Sequence, residues 1–221
     1  MVFLCNPNNP TGILTDREFL FRLLRVCREM GIFLVVDECF QDFIREPGQY
    51  SLKAQLPRYH NLFLLKAFTK RYAMAGVRLG YGITENEELL EKMTQATQPW
   101  NISIPAQAAG IAALGEVEYV ERARKLIFAE SEYLSEELYK LGMTVFPSQA
   151  NYLFFKGPED LFEICVGQNV LIRDCSNYPG LGKGFYRVAV RTHEENERLI
   201  QAIHDGLMEA RKKTQEEEGE E

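Results

Sequence analysis

The residues with the clearest capacity for chemistry lie in the segment 69–81, where Lys70 is followed at fixed spacing by Gly76, Arg78 and a Gly-Tyr pair. The apolar run at 62–65 before this lysine predicts a buried strand, so Lys70 is expected in a turn at the strand end rather than on a solvated helix face. A desolvated amine favours its neutral form, and only the neutral amine attacks an aldehyde. The position therefore predicts a lysine that forms a Schiff base.

Gly76 and Arg78 add a second chemical preference to the same segment. A glycine lets the backbone pass close to a bound group, and the fork of donors on an arginine suits a phosphate. An aldehyde-binding amine beside a phosphate-binding arginine indicates pyridoxal phosphate (PLP). The alternative is an ordinary solvated lysine and a surface arginine, so the interpretation depends on the rest of the chain.

A rigid turn follows the first predicted strand, at 2–5. The segment 6–12 reads Asn-Pro-Asn-Asn-Pro-Thr-Gly, and its two X-Pro pairs exclude a helix. Open α/β sheets bind ligands at such turns, where strands end. Asp16 and the apolar residues after it, at helical spacing, then predict a helix up to Gly31. The alternative interpretation of this turn is a plain strand-to-helix loop without a ligand.

The near-continuous apolar run at 32–36 predicts a parallel strand buried on both faces, and it ends in Asp37 and Glu38. A carboxylate at the tip of a buried strand requires a partner, and the protonated pyridine nitrogen of PLP is one such partner. For Asp37 taken alone, a helix cap or a salt bridge is the more common role.

The three motifs, in this order, resemble the fold-type-I PLP enzymes of the aminotransferase class I/II family, over essentially the whole chain except its acidic end. The resemblance implies an α/β fold: part of a large PLP-binding domain, with a mostly parallel sheet and flanking helices, followed by a small C-terminal α/β domain. It also implies contacts to four groups of the cofactor: Asn9 to the phenolic oxygen, Asp37 to the ring nitrogen, Lys70 to the aldehyde and Arg78 to the phosphate.

Two positions depart from the family pattern. Phe40 stands where the family commonly has a tyrosine, and Ala67 stands where it often has a serine. The resemblance places Phe40 and Thr69 in the cofactor site, with Asn9 holding the phenolic oxygen alone and one phosphate contact absent.

The single tryptophan, Trp100, lies between Pro99 and Pro105, which predicts a fixed loop. A linker with a buried tryptophan is the alternative. Within the family, Gln-Pro-Trp followed by Asn-Ile-Ser resembles the threonine-phosphate decarboxylases and their histidinol-phosphate aminotransferase relatives. This implies an enzyme for a small phosphorylated amino acid or amine, acting by decarboxylation in cobalamin biosynthesis or by transamination. The alternative is a protein that is not an enzyme, a remnant of the fold without catalysis.

The C-terminal part alternates between strand and helix patterns. Strands are predicted at about 143–146, 152–155, 170–172 and 186–190, and helices over about 160–167 and 194–211. Arg187 matches the family position that holds the substrate carboxylate through a bidentate pair, and Arg173 resembles a second anion-binding arginine. A surface salt bridge is the alternative for each. Asn151 has a family counterpart near the substrate, although a turn-capping role suits it equally.

Composition excludes several classes of protein. With 221 residues, 46% of them hydrophobic, and a net charge of -7, the chain can build a core and lacks the positive charge of a nucleic-acid-binding protein. Neither a membrane span nor a signal peptide is indicated, so a cytoplasmic protein without membrane or nucleic-acid partners is expected. The five cysteines show no Cys-x-x-Cys spacing and are expected to be reduced, partly buried thiols.

Three segments are predicted along the chain: a partial large domain at 1–115, a small domain with its linking helix at 116–213, and an acidic disordered tail at 214–221. The resemblance places a glycine-rich phosphate cup and a ring-stacking aromatic residue before the Asn-Pro turn, and neither is found here. An N-terminally truncated enzyme, homodimeric at full length, is therefore expected. The chain alone is expected to self-associate and to be a poor catalyst.

Overall fold

The structure, a computed structural model, describes the backbone of residues 1–220 and the side chains of that range except those at 214 and 217–220. The chain divides into two compact units. Unit 1 holds residues 1–9 and 13–124, and unit 2 holds residues 10–12 and the chain from 125 onward. The division falls inside a long helix, beyond the boundary predicted at 115.

Unit 1 is built on a four-stranded sheet. Strands β1 (Val2–Cys5), β2 (Leu34–Asp37) and β3 (Leu62–Ala67) are parallel, and β4 (Gly80–Ile83) pairs with β3 in the antiparallel direction. Parallel strands end at one edge of a sheet, and this is the edge at which ligands bind in open α/β folds. The predicted α/β fold with a mostly parallel sheet is confirmed.

Both faces of the central strands are buried, which explains their apolar runs. On one face, Leu20 and Leu24 of α1 (Arg17–Glu29) pack against alternate residues of β2 and β3. Asp16 caps this helix by accepting the N–H of Phe19. On the other face Val35 and Phe63 are also buried, as expected for strands covered on two sides.

The rest of unit 1 is mainly helical. Its further helices are α2 (Pro47–Tyr50), α3 (Phe68–Arg71), α4 (Glu87–Ala96), α5 (Ile104–Leu114) and the first turns of α6 (Val117–Lys140). Trp100, between α4 and α5, is 96% exposed, so the alternative of a buried tryptophan is wrong. In the described residues, none of the helices has an apolar stretch long enough to cross a bilayer.

Unit 2 contains a second sheet, antiparallel throughout. Its strands are β5 (Thr144–Phe146), β6 (Tyr152–Lys156), β7 (Arg173–Asp174) and β8 (Phe185–Ala189), in the spatial order β5-β6-β8-β7. The end of α6, α7 (Leu161–Gly167) and α8 (His193–Glu220) supply the helical side of one core, in which Leu138, Phe155 and Ile203 are fully buried. The sheet is therefore covered by helices on one face, as the sequence predicts.

A glycine of the Asn-Pro turn belongs to unit 2. The carbonyl of Gly12 accepts the N–H of Gln149 at 2.9 Å. Its φ of +71° is left-handed, and a Cβ there would lie 2.0 Å from Oγ of Ser148. Position 12 therefore requires glycine.

Two predicted features of unit 2 differ in the structure. The strand expected at 170–172 is instead β7, because the N–H of Val170 is taken by the carbonyl of Cys165 at the end of α7. The acidic end at 214–220, expected to be disordered, continues α8, and its run of Gln and Glu at 215–218 favours helix. The remaining residue of that predicted tail, Glu221, lies outside the described residues.

All five cysteines are free thiols, as predicted. Cys27, Cys165 and Cys175 are buried, while Cys5 and Cys39 are half-buried. Burial raises the pKa of Cys165 to about 11, so this thiol remains protonated at neutral pH.

Candidate active site

Asp37 lies at the end of β2, beside Cys5 of β1. Its carbonyl accepts the N–H of Asn6, and its Oδ1 accepts the N–H of Cys39, both at 2.9 Å. Burial, and then the hydrogen bond to Asp37, raise the pKa of Cys39 to about 12. Burial, and then the charge of Asp37, likewise raise the pKa of Cys5. Neither thiol is negatively charged at neutral pH, so neither competes with Asp37 for a cationic partner.

The Asn-Pro turn is fixed by a buried asparagine. Asn6 is fully buried, and its Oδ1 accepts the N–H of Thr15 at 2.8 Å. With its own N–H bonded to Asp37, this residue joins the turn to β2 and to the segment before α1. Asn9 is left exposed further along the turn. The turn is therefore held in place at its base.

Lys70 lies in α3, a single helical turn directly after β3. The predicted position beyond the strand end is found, but the local structure is helix rather than an open turn. Its Nζ lies 5.5 Å from the centre of the Phe40 ring. The side chain is exposed, whereas the sequence predicts a desolvated lysine. Thr69, just before it, is half-buried.

The loop after Lys70 contains two residues with left-handed backbone. Ala73 has a φ of 53° and Arg78 a φ of 57°, which is unfavourable for residues with a side chain. The exposed Arg78 donates from Nη1 to the carbonyl of Ala75 at 3.1 Å. A Cβ at Gly76 would meet nothing within 4 Å. The described residues therefore do not require glycine at this position, although a group bound against the loop would.

A buried ion pair that was not predicted from the sequence lies beside Asp37. The carboxylate of Glu38 is fully buried, and its Oε2 lies 2.9 Å from Nζ of Lys66 on β3. The hydroxyl of Ser51 lies 2.9 and 3.0 Å from its two oxygens, and the N–H of Leu52 donates to Oε1 at 3.0 Å. Glu38 thus ties β2 to β3 and to the segment after α2. The only sequence signal was an acidic residue directly after a buried strand.

A second ion pair that the sequence did not predict anchors α3. Arg71 pairs with Asp42, whose carbonyl accepts a hydrogen bond from Arg124 at 3.0 Å. Burial lowers the pKa of Arg71, but Asp42 and Tyr72 outweigh it and raise that pKa above the ordinary value. The arginine next to Lys70 is therefore a charged structural contact that fixes the helical turn.

The cofactor-site residues predicted from the sequence lie at or just after the ends of adjacent strands, at one edge of the sheet. Asn9 follows β1, Asp37 ends β2 and Lys70 follows β3. Arg78 lies on the loop that leads into β4. The arrangement offers an amide, a carboxylate, an amine and a guanidinium group along one edge of unit 1.

In unit 2, Arg173 of β7 and Arg187 of β8 are direct cross-strand partners. Side chains in such a pair project from the same face of a sheet, and like charges placed opposite each other are destabilising. The guanidinium carbon of Arg187 lies 5.0 Å from the Tyr152 ring centre, and that of Arg173 lies 5.8 Å from the Tyr178 ring centre. Two guanidinium groups on one face of a sheet suit a ligand with negative charge.

Asn151 directly precedes β6, and its carbonyl accepts the N–H of Val190 at 3.0 Å. Within the described residues its side chain makes no hydrogen bond, so the turn-capping alternative is not observed.

Comparison with known proteins gives one consistent result. Residues 1–203 match the family described as aminotransferase class I and II. The chain is 35% identical over 210 residues to the threonine-phosphate decarboxylase of Salmonella typhimurium (93% of this chain, 57% of that protein). It is 39% identical over 212 residues to a histidinol-phosphate aminotransferase of Desulfitobacterium hafniense (94% of this chain, 56% of that protein).

A solved structure shows the same similarity. The histidinol-phosphate aminotransferase from Clostridium acetobutylicum superposes with a TM-score of 0.86 at 32% identity, over 91% of this chain and 62% of that chain. The chain thus spans a little over half the length of the curated relatives that it matches, 57% and 56%. By the extent of these matches, the chain belongs to the aminotransferase class I and II family.

Proposed function

We propose that this chain supplies the lysine side of a PLP site, and the anion-binding arginines, of an enzyme that decarboxylates threonine phosphate or a closely similar phosphorylated amino acid. The observation that carries the proposal is the cross-strand pair of Arg173 and Arg187. Two guanidinium groups on one face suit a substrate with two anionic groups, a carboxylate and a phosphate.

The polar groups along the edge of unit 1 fit PLP group by group. The amide of Asn9 suits the phenolic oxygen, the carboxylate of Asp37 the ring nitrogen, and the amine of Lys70 the aldehyde. Arg78 suits the phosphate, and the half-buried Thr69 hydroxyl is a further donor. Phe40, whose ring already lies 5.5 Å from the Lys70 amine, supplies an apolar contact.

Bound PLP supplies an electron-withdrawing ring that stabilises negative charge on the carbon bearing the substrate amine. The residues of this chain set that ring and the substrate in place. Asp37 holds a proton on the ring nitrogen, since a carboxylate favours its charged partner. Lys70 would hold the cofactor at its aldehyde carbon, and the Lys70 amine would move a proton to or from the substrate carbon.

The two arginines determine which bond is broken. Arg187 holds the α-carboxylate and Arg173 holds the phosphate, so their separation orients the substrate. Decarboxylation would break the bond between the amine-bearing carbon and the carboxylate, release carbon dioxide and return a proton to that carbon, whereas transamination would break the C–H bond at the same carbon.

Transamination of histidinol phosphate is the second candidate. The name of the D. hafniense relative favours it. Histidinol phosphate carries a phosphate and no carboxylate, so both arginines would then contact one anionic group.

Binding of two matched ligands tests the proposed substrate. The 221-residue chain is expected to bind O-phospho-L-threonine about tenfold or more tightly than L-threonine, since hydrogen bonds between charged groups each contribute roughly 1.5–3 kcal/mol. NMR titration at neutral pH measures both dissociation constants. Arg173→Ala is expected to remove most of the preference, and Arg187→Ala to weaken both ligands.

Arg198→Ala serves as the control because this exposed arginine lies on α8, away from β7 and β8 in the sequence. Equal affinity for the two ligands in the unmodified chain would contradict the proposed substrate. Tighter binding of histidinol phosphate than of O-phospho-L-threonine, weakened by both Arg173→Ala and Arg187→Ala, would favour the second candidate.

A further prediction concerns Asp37. Asp37→Ala is expected to weaken PLP binding about tenfold to a hundredfold, because one charge-assisted hydrogen bond is lost, while covalent attachment to Lys70 remains possible. Absorbance titration with PLP measures the affinity. Asp16→Ala, which removes the carboxylate that caps α1, controls for the loss of an aspartate. An unchanged PLP affinity in Asp37→Ala would show that the carboxylate does not hold the ring.

We also propose that the enzyme is a cytoplasmic homodimer at full length. Self-association is supported by apolar side chains that stand in solvent on α5, where Ile104 is 81% and Ile111 75% exposed. Such side chains are common at contacts between subunits.

A further inference from the structure

A short loop leaves β7 directly after Arg173. Oδ1 of Asp174 accepts the N–H of Ser176 at 2.8 Å, and Oδ2 accepts its hydroxyl at 2.9 Å. Asp174 pairs across the sheet with Tyr186 rather than with Arg187, so its side chain projects from the opposite face to the two arginines. The acidic residue nearest to Arg173 in sequence is therefore used to build the loop and does not neutralise the arginine pair.

The loop returns the chain to Arg173. The N–H of Tyr178 donates to the carbonyl of Cys175 at 3.1 Å and closes the turn. Nη2 of Arg173 then donates to Oδ1 of Asn177 at 3.1 Å. The guanidinium group also lies 5.8 Å from the centre of the Tyr178 ring. Both contacts hold the guanidinium group, and neither carries a negative charge.

We infer that Asn177 is a positioning residue that sets Arg173 for the dianionic phosphate of the substrate, an inference that rests on the proposed function. An amide oxygen accepts a hydrogen bond from one N–H of the guanidinium group and leaves the other N–H groups for a ligand. An exposed arginine otherwise loses side-chain entropy when it binds, and a preformed contact reduces that cost. An aspartate at 177 would hold the arginine equally well, but its charge would oppose the phosphate.

A purely structural role for Asn177 is less consistent with the contacts. The turn is already closed by Asp174 with Ser176 and by Tyr178 with Cys175. The side chain of Asn177 is itself exposed. Removing it should therefore leave the loop folded and change the orientation of Arg173.

Two substitutions test the inference in the 221-residue chain. Asn177→Ala is expected to weaken O-phospho-L-threonine about five- to tenfold, the effect of losing one hydrogen bond worth roughly 1 kcal/mol, and to leave L-threonine unchanged. Asn177→Asp keeps an acceptor for Arg173 but is expected to weaken the phosphorylated ligand at least as much. Lys183→Ala, at an exposed residue of the same connection between β7 and β8, is expected to change neither ligand.

The outcomes separate this inference from the proposed function. If the unmodified chain prefers the phosphorylated ligand and Asn177→Ala retains that preference, the inference is wrong and the proposed substrate stands. Equal weakening of both ligands would indicate a structural role and would also overturn it. Wild-type affinity in Asn177→Asp would contradict the requirement for a neutral acceptor. Absence of any preference in the unmodified chain would overturn the proposed substrate and the inference together.

Discussion

Glu38→Ala is expected to lower the free energy of unfolding of unit 1 by about 3–5 kcal/mol, the range measured when one partner of a buried ion pair is removed. The side chain of Glu38 is fully buried, and that of Lys66 is 13% exposed. Without Glu38, the Lys66 amine loses its counter-ion in a poorly solvated position. The hydroxyl of Ser51 and the N–H of Leu52 also lose their acceptor.

Urea unfolding followed by circular dichroism, with hydrogen exchange read on peptides of unit 1, measures this effect. The matched control is Glu88→Ala, which removes the same kind of carboxylate from an exposed pair with Lys92 on α4. No measurable change in the unfolding midpoint is expected there, because solvent screens an exposed pair. The double variant Glu38→Leu/Lys66→Met is expected to be more stable than Glu38→Ala, since no unpaired charge remains buried.

A loss of stability in Glu38→Ala no larger than that in Glu88→Ala would contradict this account of the buried pair. A double variant that is less stable than Glu38→Ala would also contradict this account, because a lysine left without its counter-ion would then cost less stability than the loss of both charges.

The sequence was sufficient to predict features that depend on local patterns. The apolar runs before Asp37 and Lys70 predict buried strands, and the parallel order of those strands brings their ends to one edge. The placement of Asn9, Asp37 and Lys70 on that edge follows from strand order alone.

Features that depend on contacts between distant segments could not be predicted in the same way. The partner of Glu38 is Lys66 on the next strand, and a lysine inside an apolar run does not show which carboxylate it faces. The Asn177 contact requires the turn built by Asp174. The sequence also predicts a desolvated Lys70, whereas the side chain is exposed. Desolvation requires packing around the amine on several sides, and the strand pattern before Lys70 indicates packing on one side only.

The acidic end of the chain shows a different limit of prediction from sequence. The charge of this run of glutamates predicts a disordered segment, yet α8 extends through it to Glu220. Glutamate, glutamine and lysine are good helix formers, and the helix that precedes them supplies the nucleus.

The assignment of Lys70 as the residue that attaches PLP is the central claim, and covalent trapping tests it most directly. The 221-residue chain is mixed with PLP at less than one equivalent and reduced with borohydride, and the modified peptide is identified by mass spectrometry. The adduct is expected on the peptide that contains Lys70. Lys70→Ala is expected to abolish it, and Lys53→Ala, which removes another exposed lysine of unit 1, to leave it unchanged. An adduct on Lys66, or one distributed over the exposed lysines, would contradict the assignment.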